Sequence, residues 1–375
     1  MRIAVNTRLL IKGKLEGIGW FTYQTLERIV KNHPEHEFIF FFDRPYDPSF
    51  VFAPNVKPVV VHPQARHPLL FYIWFEWSLP FLLRKYKVDL FLSQDGYLSL
   101  STKVPTCLVI HDLAFEHYPK HFTLSHLFYW RHYSPLFARK AKRIATVSTF
   151  SKNDIAEHYG IDPDHIDVVY NGAHTEYRPL GWDEREAVKK QYADGCEYFV
   201  FAGALHPRKN IVNLLKAFVA FKKRQRSNMK LVIVGRFAWK YDEVEEMKDE
   251  MLFKDDVKWV GYMNVDELSK VIGGAYALVY ASLFEGFGIP ILEALQCDVP
   301  AVVSNTSSMP EVAGNAALLV DPNDVDDIAA KMELIYKDEA LRSRLVAAAR
   351  EQVKKFSWDK TTAALWECMM KCLHE

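Results

Sequence analysis

Short apolar runs alternate with longer amphipathic stretches along nearly the whole chain, and this rhythm limits the fold more than any other feature. Runs of three to five apolar residues are too short for helices and read as strands covered on both faces. Stretches of helical period between them supply the cover, which is the doubly wound α/β pattern. In the first half the runs fall at 3–5, 38–42, 59–61, 90–92, 107–110, 144–147 and 168–170; in the second, at 198–202, 231–234, 257–260, 277–280, 301–303 and 318–320. No residue-level repeat links the halves, yet each has enough strands for a parallel sheet of its own. The turn-forming Asn171-Gly172, followed by Arg178-Pro-Leu180, is the expected boundary. A length of 375 residues also suits two domains. The expected organisation is therefore a domain over 1–172, a second over 173–355, and a helical segment over 356–375.

Forty-seven basic and forty-seven acidic residues leave no net charge, so the chain has no global field for a polyanion, any polyanion binding must be local, and nucleic acid is not an expected partner. The cysteines Cys107, Cys196, Cys297, Cys368 and Cys372 are odd in number and lack a Cys-x-x-Cys pair. That usage fits reduced thiols in a cytoplasmic compartment, with Cys368 and Cys372 packed on one helix face. Met1-Arg-Ile-Ala-Val-Asn-Thr-Arg8 turns polar almost at once and reads as a first core strand, not a signal peptide. No apolar run reaches the ~20 residues of a membrane span. The nearest is the aromatic tract 69–83, interrupted by Glu76 and Pro80. Core packing is its ordinary fate. The functional alternative is an acceptor-gripping surface or a peripheral contact with the inner face of the membrane, which the basic flank Arg84, Lys85 and Lys87 would favour.

Polar residues gather where the apolar runs stop: His111-Asp112, Ser148, Gly203, Gly235, Gly261, Ser282 and Ser304-Asn305. In doubly wound sheets ligands bind outside the carboxyl ends of the strands, so these positions define one edge per domain and the expected site is the cleft between domains. Glu285-Gly-Phe-Gly-Ile-Pro-Ile-Leu-Glu293 sets two carboxylates around a glycine-bent turn that runs into a helix. Gly286 and Gly288 free the backbone to approach a ligand, Pro290 suits a first helical turn, and Glu293 is expected in that turn. Amides at such a helix start favour a phosphate, while the carboxylates accept from sugar hydroxyls. Arg208 and Lys209 fall near the start of the amphipathic helix that contains Leu214, Leu215, Phe218 and Phe221. Two cations at the positive end of a helix dipole favour a bound anion over a merely solvated loop.

Glu16-Gly-Ile-Gly-Trp20 lies between the first strand and a helix, so Gly17 and Gly19 form either a plain turn or a backbone wall open to a phosphate or sugar. A strand-end His111 is either a satisfied structural residue or a partner for sugar hydroxyls, and Asp112 can orient its loop. Asp162-Pro-Asp164 and Asp324-Val-Asp326 spell Asp-x-Asp, but their turn and helix-start settings fit capping. The histidines show no His-x-x-x-His or Cys/His cluster. No metal ligand set is expected, so cations and amides must neutralise a leaving group.

These segments, with Arg143-Ile-Ala-Thr-Val-Ser148, Val169-Tyr-Asn-Gly172, Gly203-Ala-Leu-His-Pro-Arg-Lys-Asn210 and Ser304-Asn-Thr-Ser-Ser-Met-Pro-Glu311, resemble the retaining glycosyltransferases of family 4, whose hallmark is a Glu, seven residues and a Glu. The order and spacing are most similar to the mannosyltransferase-like branch that builds bacterial surface polysaccharides. The resemblance implies the GT-B architecture: two facing Rossmann-like domains, the first binding acceptor and the second nucleotide sugar, with a C-terminal helix crossing back onto the first. It implies transfer of a hexose, with retention and without a cofactor, from a nucleoside diphosphate sugar to a saccharide or lipid-linked saccharide acceptor. GDP-mannose is the leading donor, with UDP-glucose, UDP-N-acetylglucosamine and dTDP-rhamnose open. By resemblance His111 faces the transferred sugar, Glu285 holds its hydroxyls and Glu293 holds the ribose. Lys209 matches the family's diphosphate lysine, and Arg208 stands in for an arginine whose usual place is taken by Ala204. Gly17, Gly19, Gly203, Gly235, Tyr262, Gly286, Phe287, Gly288 and Ile289 complete the expected donor site. A nucleotide-sugar epimerase, a phosphorylase and a non-catalytic nucleotide-sugar binder are the alternatives. Of these, a phosphorylase would need a pyridoxal-bearing lysine and a much longer chain.

Overall fold

A computed structural model describes residues 1–65, 67–236 and 242–374. It divides into two compact units, one formed by Met1–Asn171 with the segment from Ser357 onward, the other by Gly172–Phe356. Every expected apolar run lies in or beside a strand, and the strands make two wholly parallel sheets. The first sheet contains β1 (Arg2–Asn6), β2 (Glu37–Phe42), β3 (Val56–Val60), β4 (Leu90–Ser93), β5 (Thr106–Ile110), β6 (Arg143–Thr146) and β7 (Ile166–Val168), in the order β3-β2-β1-β4-β5-β6-β7. The second contains β8 (Tyr198–Ala202), β9 (Lys230–Val234), β10 (Val257–Gly261), β11 (Ala277–Tyr280), β12 (Ala301–Ser304) and β13 (Ala317–Val320), in the order β10-β9-β8-β11-β12-β13. The middles of central strands such as β1, β8 and β11 are apolar and buried because helices cover both faces of each sheet. The two strands whose expected limits moved by two or three residues, β3 and β7, are sheet edges. There β3 runs through Pro58, whose missing amide an edge strand tolerates.

The helix Trp358–His374 belongs to the first unit, where it packs on the helix Gly17–Asn32 and on β6. Trp358 meets Phe21 edge-on at 6.3 Å, and the Thr361 hydroxyl donates to the Tyr170 carbonyl. Cys372 bonds the Cys368 carbonyl at 3.6 Å, and Cys107 of β5 joins the pair with its sulfur 3.6 Å from that of Cys368. All five cysteines are free. The aromatic tract becomes a helix Pro68–Ile73, a π-helical turn Trp74–Ser78 and a helix Leu79–Lys85. Phe71, Trp74, Phe75, Leu79 and Leu83 enter the core, whereas Leu69, Tyr72, Trp77 and Phe81 are exposed. Glu76 sits within the tract because its carboxylate accepts the amides of Leu100 and Ser101 at 2.7 and 3.0 Å. No helix among the described residues is long and apolar enough to cross a membrane.

In the second unit the strand ends are laced together by backbone. Gly203 donates its amide to the Val234 carbonyl at 2.9 Å, and Gly235 donates to the Gly261 carbonyl at 2.8 Å. A Cβ at Gly235 would lie 1.9 Å from the Gly203 oxygen. Gly235→Ala must therefore push two strand-end loops apart, and a loss of about 3 kcal/mol or more is expected, roughly 10 °C in Tm. Thermal unfolding checks this, and an unchanged Tm would contradict the close approach.

Candidate active site

Strand order in the second unit places β8 beside β11 with their onward connections leaving in opposite directions, the switch point at which doubly wound sheets bind ligands. From β8 the chain passes Gly203, makes a 3-10 turn over Pro207–Lys209, and enters the helix Ile211–Gln225 through a left-handed Asn210 at φ 60°. From β11 it passes Ala281 to Glu285 and enters the helix Ile289–Gln296 through Gly288 at φ 95°, a conformation that suits glycine. The two loops hold each other: Leu283 donates its amide to the Arg208 carbonyl at 2.8 Å, and the Asn210 side chain donates to the Ala281 carbonyl at 2.9 Å.

Glu285 is only 5% exposed and lies at the meeting of these loops. Arg208 Nη1 donates to its Oε2 at 2.8 Å, and Lys209 Nζ donates to its Oε1 at 2.6 Å. The Tyr280 hydroxyl accepts from Lys209 at 2.6 Å and donates to Oε1 at 3.0 Å. Ser307 Oγ accepts the Glu285 amide at 3.1 Å, and Ser308 Oγ donates to its carbonyl at 2.8 Å. Burial pushes the carboxyl upward, but the charges of Arg208 and Lys209 outweigh it and hold the pKa at about 2. The anion implied by the paired cations is thus present inside the chain as Glu285. Two fixed positive charges against one carboxylate leave the cluster with a surplus of positive charge, suited to a further anion.

Glu293 departs from the sequence expectation. It is the fifth residue of its helix, just past the first turn, which Ile289 and Pro290 open. There it is 7% exposed, accepts a hydrogen bond from the Tyr177 hydroxyl, and is pushed by burial up to about 7 from an ordinary 4.5. The folded protein then keeps a proton that the unfolded chain releases between about pH 4.5 and 7. Stability should fall as pH rises across that window, by about 3 kcal/mol in all. Glu293→Gln is expected to flatten this part of the Tm profile. An unchanged slope would assign it to another group.

Gly203 adjoins Lys209, whose Cε would be 3.8 Å from a Cβ there. Gly286, Phe287 and Gly288 form the turn between Glu285 and Ile289, with Phe287 buried edge-on to Phe356 at 5.6 Å. Tyr262 is set apart: it follows the edge strand β10, is 64% exposed, and is separated from β11 by β9 and β8. Gly17, Gly19 and His111 belong to the first unit. Gly17 opens the helix Gly17–Asn32, with Gly19 in its first turn. His111 Nε2 lies 2.9 Å from the Gln94 carbonyl, the Phe21 ring meets it edge-on at 5.0 Å, and burial lowers its pKa. The carbonyl requires Nε2 to carry the proton, which makes Nδ1 the accepting atom. Asp112 accepts the Ala114 amide at 2.9 Å and so orients the loop. Asp162 and Asp324 accept backbone amides at the starts of the 3-10 turn Pro163–His165 and the helix Val325–Lys337. Sequence reasoning missed Tyr280, Tyr177, Ser307 and Ser308. Only Tyr280 left a signal, as the polar end of an otherwise apolar strand.

Two doubly wound parallel units with a charged cluster at a switch point are the parts of a GT-B enzyme. A family model for Glycosyltransferase Family 4 matches residues 15–177, and one for Glycosyl transferases group 1 matches residues 183–352. The O-antigen chain mannosyltransferase B of Escherichia coli is 32% identical over 75% of this chain and 74% of its own length. The O-antigen chain mannosyltransferase RfbU of Salmonella typhimurium is 29% identical over 74% and 73%. Among solved structures, Anabaena HepE in complex with UDP and glucose superposes with a TM-score of 0.75 over 98% of each chain at 17% identity. The chain belongs to glycosyltransferase family 4.

Proposed function

We propose that this protein moves mannose from GDP-mannose to a hydroxyl of a saccharide or lipid-linked saccharide acceptor, with retention at the anomeric carbon, during assembly of a surface polysaccharide. The observation that carries the transfer reading is the buried Glu285 held by Arg208, Lys209 and Tyr280 at the β8/β11 switch point. Mannose and polysaccharide are supported by the names of the two O-antigen relatives. As the bond from the anomeric carbon to the diphosphate oxygen breaks, negative charge grows on the leaving group. Arg208, Lys209 and the amides of the Gly286–Gly288 turn stabilise it where it develops. Glu285 accepts from hydroxyls of the transferred sugar, Glu293 from the ribose, and His111 Nδ1 from a further sugar hydroxyl. The acceptor oxygen bonds the anomeric carbon on the face the diphosphate leaves. Its proton passes to a phosphate oxygen, so no separate base is needed.

A thermal-shift panel tests the donor, since a ligand at a hundred times its Kd adds about 2.7 kcal/mol of stability. GDP-mannose should give the largest shift, and labelled GDP-mannose without acceptor should be slowly hydrolysed. A larger shift with a uridine donor would overturn the donor assignment. Isomerisation of the donor would overturn transfer itself in favour of an epimerase.

A further inference from the structure

Away from these residues, the first unit gathers three potential ligands that the sequence keeps apart. Asp154 and His158 are four residues apart on one face of the helix Thr149–Tyr159, and His117 ends the short helix Ala114–His117. His117 Nε2 lies 2.8 and 3.0 Å from the two Asp154 oxygens, and His158 Nδ1 lies 3.2 Å from Oδ1. The three ligand atoms all fall within 4.8 Å of one another. Both histidines are exposed, while Asp154 is only 8% exposed. Among the described residues its ion-pair partners are these two imidazoles, and neither carries a fixed positive charge. A buried carboxylate without a fixed counter-charge is costly, and a divalent cation between the three groups would supply one.

We propose that His117, Asp154 and His158 form a zinc site, with the remaining coordination open to solvent. Two imidazole nitrogens and one carboxylate oxygen suit zinc and its transition-metal neighbours, not magnesium or calcium. Ligands at about 2.1 Å in tetrahedral array lie about 3.4 Å from one another, so the His117–Asp154 contact at 2.8 Å must open and the exposed imidazoles turn to bring all three ligand atoms, now within 4.8 Å of one another, to that spacing. His158 Nδ1 also sits 3.1 Å from the Asp154 carbonyl, a contact that metal binding replaces. The site would tie together the two sides of the His111 loop. His117 lies six residues beyond His111 in the sequence, and Ser151, on the same helix as Asp154, donates its hydroxyl to the His111 carbonyl at 3.3 Å. Zinc there braces the loop and takes no part in transfer.

The test titrates metal-stripped full chain with zinc chloride by calorimetry and with cobalt(II) by visible absorption. One zinc per chain should bind and raise Tm. His117→Gln and His158→Gln, both at exposed positions, should each weaken binding by at least about tenfold and abolish the cobalt bands. Excess EDTA should lower Tm while transfer persists. Absence of zinc binding by the parent chain, or binding of unchanged strength in either folded variant, would overturn the site. Loss of transfer in EDTA, restored by zinc, would overturn its bracing role.

Discussion

Glu285→Gln is expected to lower turnover about ten- to a hundredfold while leaving nucleoside diphosphate affinity nearly unchanged. Under the proposed roles its carboxylate bonds hydroxyls of the transferred sugar, and a hydrogen bond to a charged partner is worth roughly 1.5–3 kcal/mol. A nucleoside diphosphate lacks that sugar and so loses nothing. The structure adds a second consequence. Glutamine keeps the shape but not the charge, leaving Arg208 and the buried Lys209 without their internal anion. Breaking a buried pair costs about 3–5 kcal/mol, so the variant should melt earlier and be assayed well below its Tm. The surplus positive charge should, if anything, favour a free diphosphate. Measured beside Glu293→Gln, equal losses of nucleotide affinity in the two variants, or a greater loss in Glu285→Gln, would show that the roles of the two glutamates are misplaced or exchanged.

Lys209→Ala should produce the complementary failure. Its ammonium, only 8% exposed, bonds both Glu285 and Tyr280 at 2.6 Å. Its removal deletes half of the fixed positive charge at the switch point and lets the Glu285 carboxyl drift upward. Donor and nucleoside diphosphate affinity should fall on the order of a hundredfold, with free nucleoside affinity little altered, because only the phosphates meet the lost charge. Calorimetry with the three ligands checks this. Unchanged diphosphate affinity would remove Lys209 from that role.

Much of the fold was legible because strands buried on both faces must be apolar end to end, a pattern that survives without any knowledge of neighbours. Limits slipped by more than one residue only at β3 and β7, where an edge relaxes that demand. The turn from Glu285 to the next helix was legible for the same local reason. Its partners were not. Arg208 and Glu285 are 77 residues apart and meet only because sheet order sets β8 against β11. The pairing of Tyr177 with Glu293, and of His117 with Asp154, likewise depends on topology. The paired cations could be read as needing an anion, but that the chain itself supplies it could not.

The place of the helix Trp358–His374 bears on the order in which the protein is completed during synthesis. The second unit is one continuous stretch, Gly172–Phe356, with all its strands and their covering helices inside it. The first unit is built from Met1–Asn171 but lacks the helix whose buried Leu365, Cys368, Met369 and Cys372 cover part of its sheet until the chain has passed residue 372. Domains fold as units while the ribosome delivers them from the N-terminus. Of these two units, the one whose residues come earlier in the chain is therefore expected to close last, with part of its apolar sheet uncovered until then.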